Sequence, residues 1–247
     1  MDVISTFEPI DELDELDELD ELDDSNLVRY LIISNNQHLL PSSITNPSRR
    51  VKSRRVDKVT KQDICMADLV FVIDDGFDEV AFCNLNRKLS YKHSQFRLAI
   101  CLYQNHKNRW HPNVDSVFLT KNDVEQRSII RALIESIELK GLICVDFADI
   151  YSVFCNMQRS FFYQGVSEGE YRVIGAIDNA IGKRTFDCKT ALMILNAGLD
   201  FTLDEFEMAV NYFSMKMPED TCCVFDHRTN PDCLYTERLE ATIFINE

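Results

Sequence analysis

Two carboxylates three residues apart, Asp146 and Asp149, sit just beyond a long amphipathic segment, in Val145-Asp146-Phe147-Ala148-Asp149-Ile150. Asp at a helix start often serves only as a cap or a partner of the helix dipole, and a functional pair is the other reading. The residues alone leave both readings open. A second acidic group, Asp74, Asp75, Asp78 and Glu79, follows an apolar run and contains one glycine, Gly76. A phosphate loop needs glycines, whose missing side chain lets backbone amides approach the ligand, and it needs neutral or positive surroundings. No glycine occurs between Met1 and Asp75, and four carboxylates around Gly76 repel phosphate. Cys222, Cys223, His227 and Cys233 lie close together in the sequence. No CxxC or HxxxH spacing supports a tetrahedral zinc site there, and no metal is expected.

Composition narrows the classes further. At 247 residues with 45% hydrophobic content, the chain can bury the core of one large or two small domains. No stretch reaches the roughly 20 consecutive apolar residues of a membrane-spanning helix. The amino terminus (Met1, Asp2, Glu8, then an acidic run) lacks the basic flank and apolar core of a signal peptide, so a cytoplasmic protein is expected. The nine cysteines are scattered, odd in number and mostly inside apolar segments, and they read as reduced thiols. Of the net charge of −15, Asp2, Glu8 and the ten acids from Asp11 to Asp24 carry −12, leaving about −3 for the remainder. Residues 11–22 are four copies of Asp-Glu-Leu, a period that suits neither a helix stripe nor a strand face, and 1–25 reads as an acidic disordered tail. The basic stretch Arg49, Arg50, Lys52, Arg54, Arg55, Lys58 and Lys61 lies in a loop-like region, and no nucleic-acid partner is expected. The acidic repeat could clamp onto it or mimic an acidic ligand, although exposed charges gain little and are screened by salt.

The elements that must position these groups alternate between strand and helix. Buried strands are expected at 27–33, 69–73, 96–102 and 116–119, which favours an α/β sheet. A helix runs from Glu125 to Lys140 on the spacing of Ile129, Ile130, Leu133, Ile134 and Ile137, with Gly141 as the expected C-cap. Another helix begins at Asp146–Asp149 and runs to about Met157. Beyond it come a helical stretch at 170–181, a strand at 190–196, and a helix opened by Thr202 and Glu205 as a capping box and ending before Pro218. Strands at 221–226 and 239–246 close the chain. The implied divisions are 1–25 as tail, 26–124 as an amino-terminal domain, 125–141 as a central helix and 142–247 as a carboxy-terminal domain.

The stretch Gly141 to Ile150 resembles the FtsZ loop that follows the long central helix and carries Asn, Asp and Asp as N-x-D-x-x-D. Cys144, Asp146 and Asp149 stand at those places. Gly165-Val166-Ser167-Glu168-Gly169-Glu170 resembles the family's glycine-bearing turn, and the run from Asn196 to Phe206 resembles its strand-to-helix signature. In the amino half, Phe7-Glu8-Pro9, the strand at 28–33 and the run from Met66 to Val72 are fainter matches. Where the family places its Gly/Thr-rich phosphate loop, this chain has Asp74 to Glu79, and the connection into the helix at 125 is shorter than the family pattern.

The resemblance implies an α/β protein: a degenerate tubulin/FtsZ-type nucleotide-binding-like domain followed by an α+β two-layer sandwich. It implies a cell-division-associated protein with no GTP site of its own, binding FtsZ or FtsZ-like subunits through the 141–150 loop and modulating or capping assembly. Asp146 and Asp149 would then act in trans on GTP held by the partner, with Cys144, Asp146, Phe147 and Asp149 at the interface. Two other readings stay open: a divergent GTP-binding, polymerising GTPase, and a binding module for a partner other than FtsZ. Family members usually continue into a linker and a membrane-tethering peptide, whereas this sequence stops at Glu247, so no direct membrane contact is expected. The shortened amino-terminal sheet is expected to leave an apolar face open.

Overall fold

Parallel strands are buried on both faces and read as continuous apolar runs, which is how the amino-terminal half is built. The computed structural model describes residues 27–35, 50–92, 97–104, 112–139, 141–155, 158–229 and 237–247. The acidic repeat, Phe7-Glu8-Pro9 and Cys233 lie outside these residues. Five parallel strands come first: β1 (Tyr30–Ser34), β2 (Val51–Arg55), β3 (Leu69–Asp74), β4 (Leu98–Gln104) and β5 (Ser116–Thr120). The later strands are β6 (Gln158–Glu168), β7 (Thr190–Ala197), β8 (Cys222–Thr229) and β9 (Arg238–Asn246). Among the described residues these nine strands form one sheet, ordered β2-β1-β3-β4-β5-β6-β9-β7-β8. Only β9 runs antiparallel to its neighbours, β6 and β7.

The two halves expected from the sequence therefore share a sheet, joined where Ser116 to Phe118 of β5 pairs with Gln158 to Ser160 of β6. Polar groups buried at this seam satisfy one another, as burial requires. The Ser160 hydroxyl meets those of Ser116 and the Asn246 amide oxygen. The Asn246 amide nitrogen donates to the Val153 carbonyl at 2.8 Å and to the Thr190 hydroxyl at 2.9 Å.

Six α-helices cover the sheet in the described residues: α1 (Lys61–Met66), α2 (Glu79–Leu89), α3 (Asp123–Glu138), α4 (Phe147–Phe154), α5 (Arg172–Ile181) and α6 (Leu203–Ser214). Side chains alternate faces along a strand, and the core divides accordingly. Ile32, Phe71, Ile100, Leu192 and Phe244 pack against Ile129, Leu133, Ile150 and Phe154, so α3 and α4 span both halves on one face. On the other face, Leu31, Val70 and Cys101 meet Ile64, Leu85 and Leu89 of α1 and α2. Met193, Leu195 and Ile243 meet Val173, Ile177, Ala209 and Phe213 of α5 and α6. Both faces of the amino-terminal sheet are thus covered, which corrects the expectation of an open apolar face. Among the described residues no helix is long and apolar enough to cross a membrane.

Backbone geometry corrects two further readings and sharpens a third. The basic stretch is not a loop: Val51 to Arg55 pair in parallel with Tyr30 to Ser34 as an edge strand. Gly141 is not the cap of α3, because the helix already ends at Glu138 and Leu139 is its extended C-cap, donating to the Glu135 carbonyl at 2.9 Å. Within the glycine-bearing stretch 165–170 the turn falls at Gly169, whose φ is +79°, while Gly165 lies in β6. What Gly165 provides is room, since a Cβ there would lie 2.1 Å from the Ala176 carbonyl oxygen and 2.3 Å from the Ala180 nitrogen of α5. Gly165→Ala is therefore expected to force α5 off β6 and cost about 1–3 kcal/mol, read as a lower midpoint in urea unfolding.

Candidate functional site

The loop between α3 and α4 brings the residues singled out by the sequence together, and its shape follows from a few local constraints. Leaving α3, the chain passes Gly141, where a Cβ would sit 1.5 Å from the His227 carbonyl oxygen, so only glycine fits. The next residue, Leu142, donates its backbone N–H to His227 Nδ1 at 3.2 Å, and the His227 N–H donates to the Ile143 carbonyl at 3.2 Å. Cys144 follows with an exposed thiol lying 3.6 Å from the Gly141 carbonyl. Val145 turns inward as the core plug of the loop.

Asp146 and Asp149 then cap α4 reciprocally. Asp146 accepts from the Asp149 N–H at 3.0 Å, and Asp149 accepts from the Asp146 N–H at 3.0 Å. A capping box of this kind satisfies two of the orphan amides that every helix start carries. One oxygen of each carboxylate is committed to the cap; Asp146 is exposed and Asp149 half-buried. Phe147 is half-buried against the core, its ring 6.4 Å from that of Tyr151. The surface presented between α3 and α4 is therefore Leu142 (50% exposed), Ile143 (37% exposed), Cys144 and the Asp146 carboxylate.

Behind the loop lies a polar triplet of which the sequence singles out only His227, in a cysteine and histidine set whose spacing does not support zinc. Asp226, His227 and Arg228 are all buried on β8. Arg228 is 2% exposed and pairs with Glu135 of α3 at 2.8 Å and with Asp226 at 3.6 Å. Burial pulls its guanidinium below the ordinary value, against the opposing pull of Asp226 and Glu135. On the other face of β8, the His227 ring stacks on Phe201 with centroids 4.4 Å apart and planes 4° from parallel. Its Nδ1 is occupied by the Leu142 amide and not poised for a metal. Three charged or titratable residues inside an otherwise apolar strand were the signal that could have marked this region.

At the opposite end of the amino-terminal sheet, the chain leaves β1 toward β2 on one side while β3 lies on the other. The carboxyl ends of β1 and β3 thus flank the topological switch point, where ligands bind in open α/β sheets. The residues there are acidic. Asp74 is buried and accepts from the Gly76 N–H at 3.1 Å and the Phe77 N–H at 2.9 Å. Asp78 caps α2 by accepting from the Ala81 N–H at 2.7 Å. Burial, with Asp74 as a neighbour, pushes the Asp75 carboxyl above its ordinary value. The turn's amides are thus turned onto the chain's own carboxylate.

Comparisons with known proteins agree with this geometry. No protein-family model matches the chain. It is 30% identical over 108 residues to the cell division protein FtsZ of Caulobacter vibrioides, a match covering 41% of this chain and 21% of that protein. The chain thus spans about a fifth of the length of that curated relative. Among solved structures, a W319Y mutant of FtsZ from M. jannaschii superimposes with a TM-score of 0.72 at 13% identity, covering 89% of this chain and 91% of the other. The GDP-form protofilament structure of TubZ from Bacillus thuringiensis serovar israelensis gives a TM-score of 0.57 at 6% identity, covering 89% and 85%. The architecture is the tubulin/FtsZ fold. Taken with the sequence match, the chain is FtsZ-like: it has this fold and is similar in sequence to FtsZ over 108 residues.

The buried triplet gives a pH signature of two opposing slopes. Burial first, and Arg228 second, lower His227 from 6.5 to about 4, while burial raises Asp226 from 3.8 to about 6. A depressed folded value contributes stability above the unfolded one and loses it as pH falls, here by about 3 kcal/mol between pH 6.5 and 4. A raised carboxyl does the reverse: its contribution is full below pH 3.8 and is lost, again by about 3 kcal/mol, as pH rises through 6. Urea unfolding at stepped pH should therefore show the wild-type margin over His227→Asn shrinking on acidification, and its margin over Asp226→Asn growing.

Proposed function

We propose that this chain is a one-faced FtsZ-like subunit. It docks through the 141–150 loop on the nucleotide-bearing face of an FtsZ or FtsZ-like partner, and it modulates or caps filament assembly in the cytoplasm at the division site. The observation that supports this most directly is Asp74. Where the resemblance to FtsZ places a phosphate loop, the Gly76 and Phe77 amides are already accepted by a buried carboxylate of the same turn. A phosphate entering there would have to displace a bonded anion and approach Asp75 and Asp78, which is unfavourable on both counts. The docking loop, in contrast, keeps the two carboxylates of the family pattern at an ordered helix start, Asp146 exposed and Asp149 half-buried.

Head-to-tail stacking propagates only when each subunit carries both complementary faces. TubZ was solved as protofilaments; a subunit with only the inserting face ends such a stack. On this reading GTP belongs to the partner alone, and Asp146 and Asp149 reach it in trans. Cys144 stands where the family pattern has Asn. A thiol is a weak donor and acceptor beside an amide, so the chain's contribution to water positioning is reduced relative to its docking. Misplacement of a water-orienting group by about 1 Å can cost on the order of 100-fold in rate. Capping, more than activation of hydrolysis, follows from that substitution.

Titration of the purified chain into GTP-driven assembly of the cognate FtsZ tests the proposal, with light scattering and phosphate release as readouts. Both signals should fall at substoichiometric ratios. The informative variant is Asp146→Ser with Asp149→Gln, which keeps a capping box and so spares α4 while removing both charges; it should weaken the effect. Alanine at these positions would confound the result with about 0.5–2 kcal/mol of lost capping. Unchanged scattering and phosphate release would point to a partner outside the filament, and GTP turnover by the chain alone would restore the GTPase reading.

A further inference from the structure

Val145 and Phe147 pack the 141–150 loop onto the core, and among the described residues its hydrogen bonds to the rest of the chain go to His227. His227 contacts it through three different groups: its imidazole Nδ1 accepts from Leu142, its backbone N–H donates to Ile143, and its carbonyl oxygen lies against Gly141. We infer that His227 is the positioning residue of the docking loop, fixing where Leu142 and Ile143 emerge and hence where the Asp146–Asp149 cap begins. What the loop does rests on the docking role proposed above; how it is held rests on geometry alone.

The details of the ring support this. Accepting from the Leu142 N–H requires Nδ1 to be unprotonated, which places the ring proton on Nε2. Nε2 is buried and finds no partner among the described residues. The side chain thus leaves one polar atom unsatisfied while holding the loop with the other, an arrangement that is costly unless the held contact has a use. The flat stack on Phe201 sets the ring plane, and Phe201 precedes Thr202, the N-cap of α6. His227 thereby ties the loop to the start of a second helix. Gly141 completes the arrangement, since no other residue lets the backbone lie this close to the His227 carbonyl.

Three variants separate this role from general stability. His227→Leu removes the acceptor, His227→Asn offers Oδ1 near the position of Nδ1, and Gly141→Ala pushes the loop away with the imidazole intact. Hydrogen–deuterium exchange of the Leu142 amide in the whole chain is the first readout, with the β7 amides as reference. Losing one such bond is worth about tenfold in opening. Leu142 should exchange about tenfold faster in His227→Leu and Gly141→Ala, with β7 unchanged, and at the wild-type rate in His227→Asn. A wild-type rate in both disrupting variants overturns the inference; should His227→Leu fail to fold, Gly141→Ala decides it. Binding to GTP-loaded FtsZ is the second readout. Affinity should fall about tenfold in His227→Leu and recover in His227→Asn, and wild-type affinity despite fast Leu142 exchange overturns the positioning role. If the wild-type chain itself does not bind FtsZ, the docking proposal fails, and Leu142 exchange still decides whether His227 holds the loop.

Discussion

The ion pair between Arg228 on β8 and Glu135 on α3 is the contact on which the arrangement turns. A guanidinium that is 2% exposed cannot go unpaired, because leaving a buried charge without its partner typically costs about 3–5 kcal/mol. One turn further along α3, Glu138 accepts from the Tyr30 hydroxyl at 2.7 Å and pairs with Arg50 at 3.0 Å. A single helical turn therefore ties both margins of a nine-stranded sheet to one point. The loop that starts immediately afterwards inherits this fixed origin, and His227, the neighbour of Arg228, is presented to it as a consequence.

Much of this frame was legible in the sequence where one physical signal dominated. The apolar runs of β3 and β4, the 3.6-residue periodicity of α3, and the Thr202–Glu205 capping box each announced themselves. Where two signals competed, the reading went astray. β2 alternates cations with small residues because it is an edge strand, and an exposed charged edge resembles a loop in composition. The stretch 165–170 resembles a glycine-bearing turn of the family, yet only Gly169 turns, while Gly165 lets α5 approach β6. The continuity of the sheet through β5 and β6 depends on hydroxyl and amide contacts between residues more than 40 apart, which no local pattern reveals.

The candidate site shows the same division. Asp146 and Asp149 are recognisable as a pair; spacing offers the helix cap, and the water-orienting role comes from the resemblance to FtsZ. The structure makes the capping role concrete, and capping does not preclude contact with a partner: each carboxylate uses one oxygen on the backbone and keeps another. Asp74 is subtler. From the sequence it was one of four charges that would repel phosphate; in the fold it also fills the amide turn from within. His227 and Arg228 escaped attention as a pair because their roles depend on which strand lies beside which helix.

One further consequence follows from the bond between the His227 N–H and the Ile143 carbonyl. β8 is the last strand of the sheet, and an uncovered last strand is a template on which foreign chains can add and aggregate. At His227 the outward-pointing amide is already taken by the loop. The opposite margin, β2, carries Lys52, Arg54 and Arg55, which discourage strand addition by charge. The segment proposed to reach another protein is thus also an edge guard, and a chain that shed it to diverge further would trade a lost contact for a sticky sheet.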